Sequence, residues 1–239
     1  MDWVLSHLDD IGNLTVTHIV LCVPAIVIGF VVSVPLGYAA SKSSLARGVL
    51  LTLGNVLYTI PGIALVVLVP VTLGIPLLNP VNVTIALLIY AVAIMVRSAA
   101  DAFVSVSGDV KQSATAQGYS ASQRFWRVEL PLAGPVLLAG VRVVSVSTIS
   151  LATVGALVGI PSLGTFFTDA FQRNFALEAV VGLVLVLLLA AVFDLLLSLV
   201  GRALMPWTRG TRLSAGAAKA LSQPVPAGVG DVAGPGGRL

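Results

Sequence analysis

Few side chains in this sequence are placed to do chemistry on a substrate. Its two histidines, His7 and His18, have no cysteine close enough to complete a metal set, and a packed or interfacial role suits His18. Cys22 is the single cysteine; it lies inside an apolar run, excludes an intrachain disulfide and reads as a small buried hydrophobe. No G-x-x-x-x-G-K-[ST] phosphate loop and no G-x-S-x-G elbow occurs, and no close carboxylate pair sits in a plausible cleft. The ionisable residues that stand out are Arg142 and Asp194, each set within a long apolar stretch. Arg142 lies about 15 Å into its stretch at helical rise. Two readings are open. The pair could bond, fixing one span against another or closing a gate. Alternatively the Arg142 stem could reach back to the inner headgroups.

Elements that position such residues must be apolar throughout. Of the 239 residues, 57% are hydrophobic and 10% charged, against about 25% charged in soluble domains. A water-soluble globule could not hide this surface, so the bilayer is the natural solvent. A membrane helix needs about 20 mostly apolar residues. The qualifying stretches run from about Leu14 to Ala40, Val49 to Leu73, Val81 to Val96, Leu132 to Gly159 and Ala179 to Leu204. The expected class is an all-α integral membrane protein with about five transmembrane helices. No cleavable signal peptide is expected, because the first dozen residues are acidic and the first apolar run is too long. Trp3, Val4, Leu8 and Ile11 could form a short interfacial helix ahead of the first span. Residues 1–13 read as an external segment, 14–207 as the membrane domain and 208–239, rich in Gly, Pro, Ala and Ser, as a disordered cytoplasmic tail.

Lys and Arg concentrate on alternate connections. Lys42 and Arg47 lie in the first, Lys111, Arg124 and Arg127 in the third, and Arg202, Arg209, Arg212, Lys219 and Arg238 in the last segment. The second connection has no charge, and the N-terminal segment carries only Asp2, Asp9 and Asp10. The positive-inside rule then gives N-terminus out and C-terminus in.

That orientation puts the polar stretch "QSATAQGYSASQRFWRVELP", Gln112–Pro131, in the cytoplasm. Lys111 to Gln117 favours a short helix, Gly118 a sharp turn, and Ser120 or Ser122 a cap for a second helix. In that helix Ala121, Phe125 and Val128 make a narrow apolar stripe. Pro131 should redirect the chain before the fourth span. The expected product is a knuckle with small residues on one arm and a protruding aromatic, Phe125, on the other.

The knuckle resembles the cytoplasmic loop of binding-protein-dependent ABC importer permeases. The family pattern is E-A-A, three residues, Gly, then about nine residues and an apolar residue, x, Leu-Pro. Here Gln112-Ser113-Ala114 stands for E-A-A, followed by Gly118 and Val128-Glu129-Leu130-Pro131. Gln112 replaces the usual Glu and can hydrogen-bond without making an ionic contact. The resemblance implies a coupling helix within residues 109–131, between spans three and four, docking in a groove of a separate ATPase. Gln112, Ser113, Ala114, Gly118, Phe125, Leu130 and Pro131 would then be its coupling residues. It also implies a second permease subunit, an exported solute-binding protein, a prokaryotic inner-membrane location, no nucleic acid, and no cofactor on this chain. ATP and Mg²⁺ would sit on the ATPase, and the chain would not be an enzyme.

"LYTIPGIALVVLVPVTLGI" (Leu57–Ile75), the Leu88–Tyr90 run with Arg97, and "STISLATVGALVGIPSLGTFF" (Ser147–Phe167) are similar to permeases for quaternary-ammonium osmoprotectants: glycine betaine, choline, carnitine or proline betaine. Methionine-type permeases share the layout. Such solutes carry a cation that aromatic faces recognise. A mildly polar path could use Asn55, Tyr58 and Thr59 beside Pro61, then Tyr90, then Ser145, Thr148 and Thr153, with Arg142 and Asp194 at a gate. Pro61-Gly62 should break its helix near mid-membrane, where a broken helix can line a cavity. The contrary reading is a packing kink and hydroxyls bonded back to their own helix. Ala152-xxx-Ala156 and Gly155-xxx-Gly159 suggest close helix packing. A channel or secondary carrier would instead need mid-span ion-coupling carboxylates or an inverted repeat. Only Asp194 is available, and no repeat is visible.

Overall fold

The apolar stretches fold as helices because nothing else satisfies backbone polar groups without water. A computed structural model describes residues 2–207. The tail expected to be disordered, 208–239, lies outside them. After a short helix α1 (Asp2–Ser6), α2 runs unbroken over 35 residues, Leu8–Lys42, through two internal prolines, Pro24 and Pro35. Trp3 stacks on His7 at 4.4 Å and meets the edges of Phe166 and Phe175, so the N-terminal helix is packed in place. Ser43 is extended and ends α2; its hydroxyl accepts the Ala46 N–H at 3.4 Å and starts α3 (Ser44–Thr59).

The second expected span is not one helix. α3 and α4 (Gly62–Leu73) meet at 102°, with Ile60 and Pro61 between them. Pro61 has no N–H to give the preceding turn, and it holds Ile60 extended at φ −65°, ψ 128°. Helix α5 (Pro80–Val104) is capped by Asn79, whose side chain accepts the Val81 N–H at 3.0 Å. It extends past Arg97 and forms the middle of the core, with Leu87, Met95, Ala99 and Phe103 buried. α2 lies along it so closely that a Cβ on Gly37 would overlap Ala99. Among the described residues, four helices are long and apolar enough to cross a membrane, and the bent α3–α4 pair makes a fifth crossing if it counts as one span.

After α6 (Gly108–Ala116) and α7 (Ala121–Arg124), the chain does not redirect at Pro131. A π-helical turn, Phe125–Glu129, leads straight into α8 (Leu130–Ala152). Pro131 falls at the start of α8, directly after the π turn, so the helix continues through a residue that has no N–H to give. The fourth span ends where expected, beside Gly159, but its last six residues change winding. Thr153–Val158 is a 3-10 segment closed by Gly159 at φ 82°. The small-residue pairs at 152–159 therefore form no helical face; Gly155 packs on Val83 and Ile160. α9 (Thr165–Arg173) leads to α10 (Ala176–Leu204), which carries Asp194 and leaves Leu187, Leu188, Leu195 and Leu196 exposed along its length.

Candidate functional site

Three places gather the polar groups within this apolar frame. The first is the α3–α4 break. A cavity of about 310 Å³ opens there, lined from α3 by Tyr58 and Thr59, at the break by Pro61, from α5 by Tyr90 and from α8 by Ser147 and Thr148. Five of these residues, all but Ser147, were expected on a path from sequence. The Tyr90 hydroxyl donates to the Ile60 carbonyl, a group freed by the break. The rings of Tyr58 and Tyr90 meet edge to face at 6.0 Å, with Tyr58 exposed and Tyr90 buried.

Other path residues behave differently. Thr59 and Thr153 each donate to their own helix, to the Val56 and Ser150 carbonyls, both at 2.7 Å. Thr153 and Ser145 do not line the cavity. The Ser145 hydroxyl is buried with no hydrogen-bond partner. Asn55 is exposed and accepts a long 3.5 Å hydrogen bond from Arg97. Ser147 was missed although it is adjacent to Thr148, and the only sequence signal for it was that adjacency.

The second place is the intramembrane ion pair. Arg142 Nε and a terminal nitrogen donate to the two carboxylate oxygens of Asp194, each at 2.6 Å. The fork-on-fork geometry is the strong form of this contact. It realises the pairing reading, and Arg142 does not extend away from Asp194. The pair is open, with side chains 41% and 37% exposed, and it lines a cavity of about 410 Å³ that also reaches Ser147. Ser147 thus borders both cavities.

The third place is the knuckle. Ser107 caps α6, its hydroxyl accepting the Asp109 N–H at 3.3 Å, and Gln112 and Ser113 are exposed on α6 while Ala114 is buried. Gly118 turns the chain at φ 84°, a conformation costly for any residue with a Cβ. Ser120 then caps α7 in a reciprocal box: its hydroxyl accepts the Gln123 N–H at 3.3 Å and its own N–H donates to the Gln123 side chain at 2.9 Å. Phe125 does not protrude. The π turn rotates it inward onto Tyr38 at 4.6 Å and Phe103 at 5.8 Å. The exposed aromatic is its neighbour Trp126, with Arg127 exposed beside it. An i, i+4, i+7 stripe assumes α-helical spacing, which the π turn breaks.

Beneath the knuckle, outside the apolar stretch that starts at Leu132, the Glu129 carboxylate is wholly buried. It accepts from Arg124 Nε at 2.9 Å and from Lys42 Nζ, at the end of α2, at 3.1 Å. Arg124 also donates to the Thr115 hydroxyl at 2.8 Å. Lys111 on α6 donates to the Phe103 carbonyl at 2.9 Å. Burial alone would raise the Glu129 pKa, but the hydrogen bonds from Arg124 and Lys42 and the charges of Lys42 and Lys111 outweigh it and hold the carboxyl below its usual range. Burial pushes the Lys111 ammonium below its usual range, against the opposing pull of Glu129. Sequence reading passed over Glu129 because a carboxylate in a polar insert looks solvated.

His18 is packed: its Nε2 donates to the Ile149 carbonyl at 3.0 Å, and its Nδ1 accepts the Leu163 N–H at 3.3 Å. No cluster of three or more His, Cys, Asp or Glu suited to a metal occurs among the described residues.

Residues 13–210 match the family described as binding-protein-dependent transport system inner membrane component. The choline transport system permease protein OpuBB of Bacillus subtilis is 28% identical over 195 residues, 80% of this chain and 87% of that protein. The glycine betaine/carnitine/choline transport system permease protein OpuCB of the same organism is 27% identical over 192 residues, 79% of this chain and 86% of that protein. In fold, a chain of the MetNI methionine ABC transporter in an inward-facing conformation is similar at TM-score 0.71, with 20% identity, over 81% of this chain and 95% of that one. The chain belongs to the binding-protein-dependent transport system inner membrane components: it is a multi-pass inner-membrane permease subunit of an ABC importer.

Proposed function

We propose that this permease moves quaternary-ammonium osmoprotectants. The observation that carries the reading is chemical. Choline, glycine betaine and carnitine, named for the relatives that match about four-fifths of this chain, share a trimethylammonium group. That group has no N–H to donate and is held by aromatic faces and mild polarity. The cavity at the α3–α4 break has this character: two tyrosines and three hydroxyl residues, with no charged side chain in its lining.

In this reading the termini lie on opposite sides, N-terminus out and C-terminus in, and residues 14–207 form the membrane domain. The knuckle, residues 109–131, faces the cytoplasm and seats in an ATPase that holds ATP and Mg²⁺. The exposed Gln112, Ser113 and Gly118 make its contact face; the buried Ala114 and the half-buried Phe125, Leu130 and Pro131 hold its shape. A solute-binding protein delivers substrate from outside, and a second permease subunit completes the pathway. The Arg142–Asp194 pair acts as a gate that separates and re-forms as the spans rock.

Proteoliposomes holding the assembled importer and its binding protein test the substrate class by uptake of labelled glycine betaine. Choline and carnitine should compete and methionine should not. Competition by methionine alone would move the chain to amino-acid transport.

A further inference from the structure

We infer that the Lys42–Glu129 contact is the joint through which movement of the knuckle reaches the substrate cavity. The inference rests on the proposed docking of the knuckle on an ATPase and adds the route by which that docking acts. Glu129 is wholly buried, sits where the π turn enters α8, and binds two cations from different parts of the molecule. Arg124 belongs to the knuckle itself, so its bond to Glu129 stiffens the knuckle, as does its second bond to Thr115 on α6. Lys42 is the last residue of α2, so its bond leaves the knuckle and crosses to the membrane helices.

Lys42 also sits at a corner. α2 ends at Lys42, Ser43 is extended, and α3 begins at Ser44. A pull on Lys42 therefore acts on the end of one helix and the start of the next. α3 runs from that corner directly to Tyr58 and Thr59, which line the cavity, and stops at the 102° break. A rigid helix transmits displacement along its length; the break is where it can be absorbed. The Arg47–Asp101 bond at 2.6 Å, just past the corner, ties the same end of α3 to α5.

The aromatic contacts between Phe125, Tyr38 and Phe103 lie beside the joint and also join the knuckle to α2 and α5. The rings tolerate sliding and the Lys111 bond to the Phe103 carbonyl reaches only the end of α5, whereas a buried carboxylate facing Lys42 and Arg124 has few positions in which it remains satisfied. Lys42 lies over the Tyr38 ring at 4.4 Å, which holds the ammonium in line. Lys42 is thus a positioning residue: it touches no substrate and holds no nucleotide.

The test measures solute taken up per ATP hydrolysed by the assembled importer in proteoliposomes. Lys42→Met keeps the aromatic contacts and the Arg124 bond; with the Lys42 side chain 40% exposed, it should fold. It should retain the ATPase and hydrolyse ATP near the wild-type rate. Uptake per ATP should fall about fivefold or more, the lower end of typical coupling between sites. Lys42→Arg should restore the ratio, and Glu129→Gln should lower it as Lys42→Met does. A wild-type ratio in Lys42→Met overturns the inference, as does loss of ATPase retention in that variant, which would make Lys42 part of the docking structure. If the wild-type chain retains no ATPase, the docking reading itself fails and the joint with it.

Discussion

Two ionic contacts in this permease are built in opposite ways. Glu129 is wholly buried and faces cations from two directions, whereas Arg142 and Asp194 face only each other and remain well exposed to a cavity. Removing Glu129 from the first takes the shared acceptor from two cations at once, and removing Lys42 leaves the buried carboxylate to Arg124 alone. Removing one from the second leaves a charge that an open cavity can hydrate. Burial decides how firmly a carboxylate holds its cations, and number of partners decides whether it can let go. The first contact is suited to staying closed through a cycle, and the second to opening and closing.

The largest effect should come from Glu129→Ala. Lys42 and Arg124 lose their shared acceptor, and a wholly buried side chain is replaced by a void. Thermal unfolding in detergent should show a large drop in midpoint, with loss of uptake. If Asp194→Ala lowers the midpoint by more, the contrast between closed and open contacts is wrong.

Close behind is Gly37→Val, which probes the surface the first contact anchors to. A side chain there overlaps Ala99 on α5, and overpacking a tight seam costs about 1–3 kcal/mol. The same unfolding assay should find a lower midpoint; an unchanged one would mean that α2 can shift away from α5.

The Arg142–Asp194 contact should respond in transport more than in stability. Arg142→Asp and Asp194→Arg should each reduce uptake while leaving the unfolding midpoint close to wild type. The double exchange should recover much of the uptake. Failure of that recovery would mean that the two positions act separately and not as a pair.

The smallest effect is a pH dependence of the buried contact. Glu129 is held below its ordinary range, so its stabilisation is complete above the usual glutamate pKa of about 4.3 and is lost as pH falls through the folded value. The difference in unfolding midpoint between wild type and Glu129→Gln should therefore be constant from neutral pH down to about 5 and shrink below it. A difference that widens in acid would show that Glu129 is not the group responsible.

Much of this was legible in the sequence because membrane insertion imposes simple rules. Long apolar runs gave the helices, Pro61 the break, and Gly118 and Ser120 the knuckle, each through a local rule that tertiary contacts did not override. The pairing of Arg142 with Asp194 was one of the two readings that the cost of charges in lipid left open, and the geometry chose it. What was missed depends on phase. The π turn at Phe125–Glu129 shifts every following side chain, so the aromatic judged to protrude packs inward and Trp126 takes its place. The turn also explains why Pro131 ends nothing. The change of winding after Ala152 had no such warning, since Thr153–Val158 is as apolar as an α-helix would be. Glu129 was hidden because the partner that ties it to the membrane helices, Lys42, lies on α2, 87 residues away in sequence.

The most direct test asks which side of the membrane the knuckle faces and what covers it. Cys22 is buried, so a single Gln112→Cys substitution adds the one exposed thiol among the described residues. A membrane-impermeant maleimide should label it in inverted inner-membrane vesicles and not in right-side-out ones, and bound ATPase should protect it. Labelling in right-side-out vesicles, unaffected by the ATPase, would contradict the account.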